Sequence, residues 1–159
     1  MASAERPPRG GLAARKVSEG RPQTFYVESS GLLAAILEKE AAAIRSIRSR
    51  DRAVTSALTL TEANRAIIRG RVSGKLTAER EREVLHTLQI FEEQCTVLMI
   101  SEQALVSAGH PFPSEPVTTL DAIHLATLQQ LGGTPQLVTI VTRDARIRKN
   151  AIALGYNVE

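Results

Sequence analysis

Short β-rich apolar runs and longer amphipathic stretches alternate along this chain from Thr24 onward. Thr24–Val27 predicts a strand, and Ser29 then opens a helix carrying Leu32, Leu33, Ile36 and Leu37. A second helix is expected over Ala41–Arg50, a strand over Arg52–Ala57, and a helix from about Leu60 to Arg71. Thr77 is suited to cap a long amphipathic helix in which Leu85, Leu88 and Phe91 form one apolar stripe. Val97–Ile100 predicts a third strand with a short helix after it. His110–Pro116 has to be a loop, because Pro111, Pro113 and Pro116 fit neither regular element. A helix from about Leu120 to Leu131 stops at Gly132-Gly133. Leu137–Val141 is apolar enough for a strand covered on both faces. Ala145–Leu154 reads as the last helix, ended by Gly155, and Tyr156–Val158 as a terminal strand. This alternation implies βαβ units: an α/β fold with a mostly parallel sheet between helical layers.

In such folds ligands bind outside the carboxyl ends of the strands, where strand order reverses. Four acids stand near the strand-to-helix transitions: Glu28, Glu62, Asp121 and Asp144. Carboxylates there are costly unless something binds them, and hard divalent cations want oxygen ligands. Clustered carboxylates with such a cation suit phosphodiester cleavage. Each acid also has a plainer reading. Glu28 precedes a helix start, where the helix dipole favours an acid, and Asp144 is a natural N-cap. Glu62 has Arg65 and Arg69 on its helix face, either as a solvated ladder of ion pairs or as guanidiniums for substrate phosphate. Asp121 opens an apolar helix with His124 one turn on. That histidine reads as a packed, hydrogen-bonded core residue, with a general base as the alternative. Arg143, Arg146, Arg148 and Lys149 follow the last strand, as a solvated face or as phosphate contacts. His86 and His110 carry no chemical signal.

Composition narrows the classes. At 159 residues the chain has room for one domain with a core, and without Trp that core must come from Leu, Ile, Val and Ala. Cys95 is the single cysteine, so no internal disulfide forms, which suits a reducing cytoplasm. Gly31–Leu37 is too short to span a bilayer, and the first residues lack the apolar stretch of a secretion signal. The net charge of +3 lies wholly in the first 21 residues, with five basic groups against two acidic. The remainder balances at 15 against 15, which excludes a uniformly basic nucleic-acid-binding domain. Residues 1–23, rich in Pro, Gly and Arg, are expected to form a disordered basic arm, with the folded domain over residues 24–159.

Taken together, YVESSGLLAAIL, LTEANRA, TLDAIHLATL and LVTIVTRDARIRKNAIALGY resemble the successive motifs of PIN-domain nucleases, especially the VapC-type toxins of bacterial toxin–antitoxin pairs. The resemblance runs from about Thr24 to Glu159 in the right order. It implies a Rossmann-like three-layer sandwich with four to five strands, and ribonuclease activity with Mg²⁺ or Mn²⁺. By position, Glu28, Glu62, Asp121 and Asp144 would be the catalytic metal-site acids, with Ser30 and Thr142 supporting them. Arg65, Arg69, Arg143 and Arg146 would meet RNA phosphate. A cognate antitoxin is implied as partner. A homodimer is expected because the apolar helices Leu32–Leu37 and Leu85–Phe91 offer more nonpolar surface than one small sheet needs. One position departs from the family, which usually has Asp where this chain has Glu28. The extra methylene moves the carboxylate by ~1.5 Å. Mg²⁺ is strict about its geometry, so a catalytically weakened PIN fold, serving as an RNA-binding or interaction module, is the alternative.

Overall fold

Side-chain oxygens at the strand ends and in the loops set the helix starts, each relieving amides that a helix leaves unpaired. The protein, represented by a computed structural model, is described over residues 23–48 and 52–159. Strand β1 (Thr24–Val27) runs into Glu28, whose carboxylate accepts from the Ser30 amide and opens helix α1 (Ser29–Ile36). Helix α2 (Ala41–Arg48) follows. Strand β2 (Arg52–Ser56) ends on Ser56, which caps helix α3 (Ala57–Val72) through the Thr59 amide. Thr77 caps α4 (Ala78–Gln94), strand β3 spans Thr96–Leu98, and Ser101 caps α5 (Glu102–Ala108). Thr118 caps α6 (Thr119–Gln129), and a 3-10 turn at Pro135–Leu137 leads into strand β4 (Val138–Val141). Asp144 caps α7 (Ala145–Ala153), and strand β5 (Asn157–Val158) closes the fold.

All five strands are parallel, in the order β3-β2-β1-β4-β5. The chain builds outward from β1 through β2 to β3, then returns to the other side of β1 with β4 and β5. The reversal therefore falls between β1 and β4, whose ends are in register at Val27 and Val141. Glu28 follows one of these strands and Thr142 the other, so the switch point carries the candidate site. Side chains alternate across the sheet. Phe25 and Val27 join Leu32, Ile36, Ile67, Leu88 and Phe91 in one core. Tyr26 joins Val54, Leu125, Leu128, Ile140 and Ile147 in the other. Helices cover both faces, giving the expected three layers.

One glycine draws the two strand ends together. A Cβ at Gly31 would lie 2.4 Å from the Val141 carbonyl oxygen, so only glycine lets α1 cross β4 this closely. Two expectations shift. Helix α3 starts at Ala57 rather than near Leu60, because Ser56 caps it; Glu62 thus sits in its second turn, not at the junction. The stripes invoked for dimerisation turn inward: Leu32, Ile36, Leu88 and Phe91 are buried core. Other boundaries differ by a residue or two, as at β3. The arm expected over residues 1–23 lies outside the described residues except for Gln23, whose amide donates to Thr139 Oγ1. The expected end of the second helix, at residues 49–50, also falls outside them.

Candidate metal centre

Glu28 is almost wholly buried, with 2% of its surface exposed. Its position after β1 and before α1 gives it donors from three directions. Oε1 accepts from the Ser29 hydroxyl and the Ser30 amide, and Oε2 from the hydroxyls of Ser30 and Thr142. A carboxylate has about four lone-pair sites, so these donors saturate it. The Ser30 hydroxyl oxygen also accepts the amides of Arg143 and Asp144, at 2.7 and 3.1 Å. Ser30 and Thr142 thus couple Glu28 to the loop that carries Asp144.

Glu62 reaches the same place from α3. Its Oε2 lies 2.6 Å from His124 Nε2, and that nitrogen lies 3.8 Å from Glu28 Oε1. Burial opposes ionisation of Glu62, but the His124 hydrogen bond and charge, the Ser29 hydroxyl and the Arg69 guanidinium outweigh it and hold the carboxyl below its ordinary range. An ionised carboxylate only accepts, so His124 Nε2 is the donor. Beneath these groups lies Tyr26, whose pKa is raised first by burial and further by the charges of Glu28 and Glu62.

Asp121 and Asp144 stand beside this knot rather than in it. Asp121 is the third residue of α6, one turn before His124, so both acid and histidine come from one helix. Its Oδ2 is buried and has no hydrogen-bond partner among the described residues; Arg146 Nε approaches to 3.5 Å. Asp144 caps α7, with Oδ1 accepting from the amides of Arg146 and Ile147 at 2.7 and 3.0 Å. The capping reading of Asp144 therefore holds at one oxygen. Arg146 links the two aspartates. Arg65 and Arg69 are exposed along the Glu62 side of α3, where they line a shallow groove of about 700 Å³ with Lys75. Arg143 is otherwise engaged. Its guanidinium makes a bidentate pair with Glu40, at 2.9 and 2.6 Å, and donates to the carbonyls of Thr142 and Glu159. Cys95 stands apart at the core margin, its thiol pushed up to about 11 by burial and then by Glu92.

Among the described residues, Glu28, Glu62 and His124 each offer an atom that lies within 4.8 Å of the others. The carboxylate oxygens of Glu28 and Glu62 gathered there suit a divalent cation, and the His124 ring stands against them. His124, expected as a packed, hydrogen-bonded core residue with a general base as the alternative, stands within this cluster, and Ser29 beside it was not singled out from the sequence. The spacing of Asp121 and His124 on one helix face was the available signal for the histidine; Ser29 offered none beyond its place at a helix start.

The sequence model described as "PIN domain" matches residues 25–153. The chain belongs to this family. Among curated PIN-type relatives, ribonuclease VapC46 of Mycobacterium tuberculosis is 36% identical, over 84% of this chain and 95% of its own length. Ribonuclease VapC35 of the same species is 34% identical, over 84% of this chain and 94% of its own. Solved structures share the fold at lower identity. VapC20 of Mycobacterium tuberculosis, a sarcin–ricin-loop-cleaving toxin, superposes with a TM-score of 0.57 at 18% identity, covering 83% of this chain and 95% of that one. VapBC2 of Rickettsia felis, solved with a promoter DNA fragment, gives 0.59 at 11% identity, covering 86% and 97%. The PIN-like α/β architecture expected from the sequence is thus found in the sheet order and in these neighbours. Among the described residues no helix is long and apolar enough to cross a membrane.

Proposed function

We propose that this PIN-domain chain is a divalent-metal-dependent endoribonuclease, hydrolysing RNA phosphodiester bonds as the toxin of a type II toxin–antitoxin pair. The single observation that carries the reading is the meeting of Glu28, Glu62 and His124 within 4.8 Å at the switch point of the sheet. The VapC ribonucleases it resembles over almost their whole length give the substrate class.

Glu62, Asp121, Glu28 and Asp144 are the residues that would hold Mg²⁺ or Mn²⁺, and oxygen donors suit either ion. The chemistry supplied by such an ion, when bound, is a more acidic water and neutralised charge at the phosphate. Everything else is the chain's own work. The Ser30 and Thr142 hydroxyls fix Glu28 and the Asp144 loop relative to each other. Arg65 and Arg69 run from Glu62 along α3, presenting guanidiniums for the phosphates of a single strand. Arg146, beside Asp121, offers a third, while Arg143 serves through its grip on Glu40 and the Thr142 carbonyl.

Residues 24–159 form the nuclease unit and act in the cytoplasm. The antitoxin offers a basic side chain that competes for the acids. A homodimer uses exposed nonpolar side chains around α5, among them Met99, Leu105 and Val106.

The test is RNA cleavage by the purified protein with Mg²⁺, Mn²⁺ or EDTA, with products mapped by sequencing. Metal-dependent cuts at defined positions are expected. Cleavage indifferent to EDTA rules the mechanism out. A second reading, a weakened PIN fold that binds RNA without cutting it, is favoured by one observation: all lone pairs of Glu28 are already taken by protein donors. That reading expects RNA binding with no metal-dependent products.

A further inference from the structure

We propose that His124 is a positioning residue of this site, pinning the Glu62 carboxylate by one oxygen and leaving the other for the ion. The inference rests on the metal-centre reading given above, and it assigns a role to a side chain that is not one of the acids. Three observations carry it.

First, the contact is short and specific. Nε2 lies 2.6 Å from Glu62 Oε2 but 3.8 Å from Glu28 Oε1, so the ring serves one carboxylate preferentially. Second, the ring is buried, with 1% of its side chain exposed, yet Nδ1 has no hydrogen-bond partner among the described residues. Histidines that ligate metals almost always donate from their other nitrogen to an acceptor, which fixes the ring for that duty. Among the described residues His124 has no such acceptor. Its one strong polar contact is with Glu62, which marks the ring as the carboxylate's anchor rather than a ligand. Third, the contact spans two helices that reach the site from different parts of the fold. Glu62 stands on α3 and can swing about its flexible side chain, with a quarter of its surface open to solvent. His124 is fixed in α6 one turn after Asp121. Helix α6 therefore supplies one acid and aims another, so Asp121 and Glu62 keep a set relation.

The test measures Mn²⁺ affinity by calorimetry and RNA cleavage for the full chain and its variants, with thermal melts in EDTA as a control for folding. His124→Leu is expected to weaken Mn²⁺ binding by ~10–100-fold, the usual cost of losing a partner that orients a ligand. His124→Gln can donate from its amide nitrogen to the same oxygen and should recover most of that loss, which a purely space-filling role would not produce. In a Glu62→Gln background, His124→Leu should add almost nothing. If the leucine variant does not fold, the comparison of His124→Gln with His124→Asn, whose shorter amide falls short of Glu62, carries the same test. Mn²⁺ affinity unchanged in every His124 variant, or a leucine effect that persists in full without Glu62, overturns the proposal while leaving the metal centre standing. A flat titration for the unmodified chain removes the metal centre itself, and the positioning role with it.

Discussion

Glu28 and Asp121, both expected to be metal-site acids, meet the cost of a buried charge in opposite ways. Glu28 gathers three hydroxyls and an amide, all neutral, and its oxygens are fully used. Asp121 keeps Oδ2 buried without a hydrogen bond among the described residues, with the Arg146 guanidinium 3.5 Å away. A saturated carboxylate can be stable without any ligand, whereas an orphaned one costs roughly 1–3 kcal/mol or more until something meets it. The difference teaches where to look for function. The acid that the fold has satisfied ties the two strand ends together whether or not an ion is bound, and the acid left unmet is the one that a cation would relieve most.

Asp121→Asn breaks the comparison most directly, and the largest effect is expected there. The amide keeps the shape of the side chain but removes its charge and turns one acceptor into a donor. Metal-dependent RNA cleavage should fall by ~100-fold or more, the scale seen when one preorganised electrostatic group is removed. Melting in EDTA should change little, since the oxygen had no hydrogen bond to lose. Cleavage at the original rate would show that the orphaned oxygen has no catalytic role. Glu28→Asp sharpens the other side. Withdrawing the carboxylate by one methylene should loosen its hold on Ser29 and Thr142 and restore the residue usual in the family. A gain of about tenfold in cleavage with Mn²⁺ is expected, equivalent to ~1.4 kcal/mol at the transition state. A protein silent before the change and active after it belongs to the weakened class. A protein that loses activity needs the longer side chain.

The layered fold was legible because its signals are local: apolar runs, capping residues, and glycines or prolines at the breaks. Glu28 and Asp144 could be placed at one edge for the same reason, Glu28 following an apolar strand directly and Asp144 following one after Thr142 and Arg143. The start of α3 was misread because Ser56 ends a β-rich run, and only its bond to the Thr59 amide shows that it is already a cap. The site's inner contacts were beyond local reading. His124 meets Glu62 across 62 positions and Arg143 meets Glu40 across 103. No spacing rule announces such pairs. An isolated histidine in an apolar helix looks the same whether it packs against leucine or holds a carboxylate. The reading of His124 as buried and hydrogen-bonded holds; what the sequence could not supply was the identity of its partner.

That partner allows the smallest and most discriminating measurement, the acid limb of stability. Glu62 has a folded-state pKa below its ordinary value of 4.5. A carboxyl lowered in this way stabilises the fold at pH values above its unfolded pKa and loses that contribution as pH falls through the folded value. Wild-type protein in EDTA should therefore exceed Glu62→Gln in stability by a constant margin at pH 5 and above. The margin should be of order 1 kcal/mol, as for a hydrogen bond to a charged group offset by partial burial. It should shrink only below pH 4.5, when Glu62 itself takes up a proton. Burial of Glu62 works against it, but the His124 Nε2 hydrogen bond at 2.6 Å helps to outweigh that cost. Chemical denaturation of both proteins from pH 3 to 7 measures the margin directly. If Glu62→Gln is the more stable at neutral pH, repulsion between the two glutamates dominates, and the metal-free site is a strained arrangement that only a cation relieves.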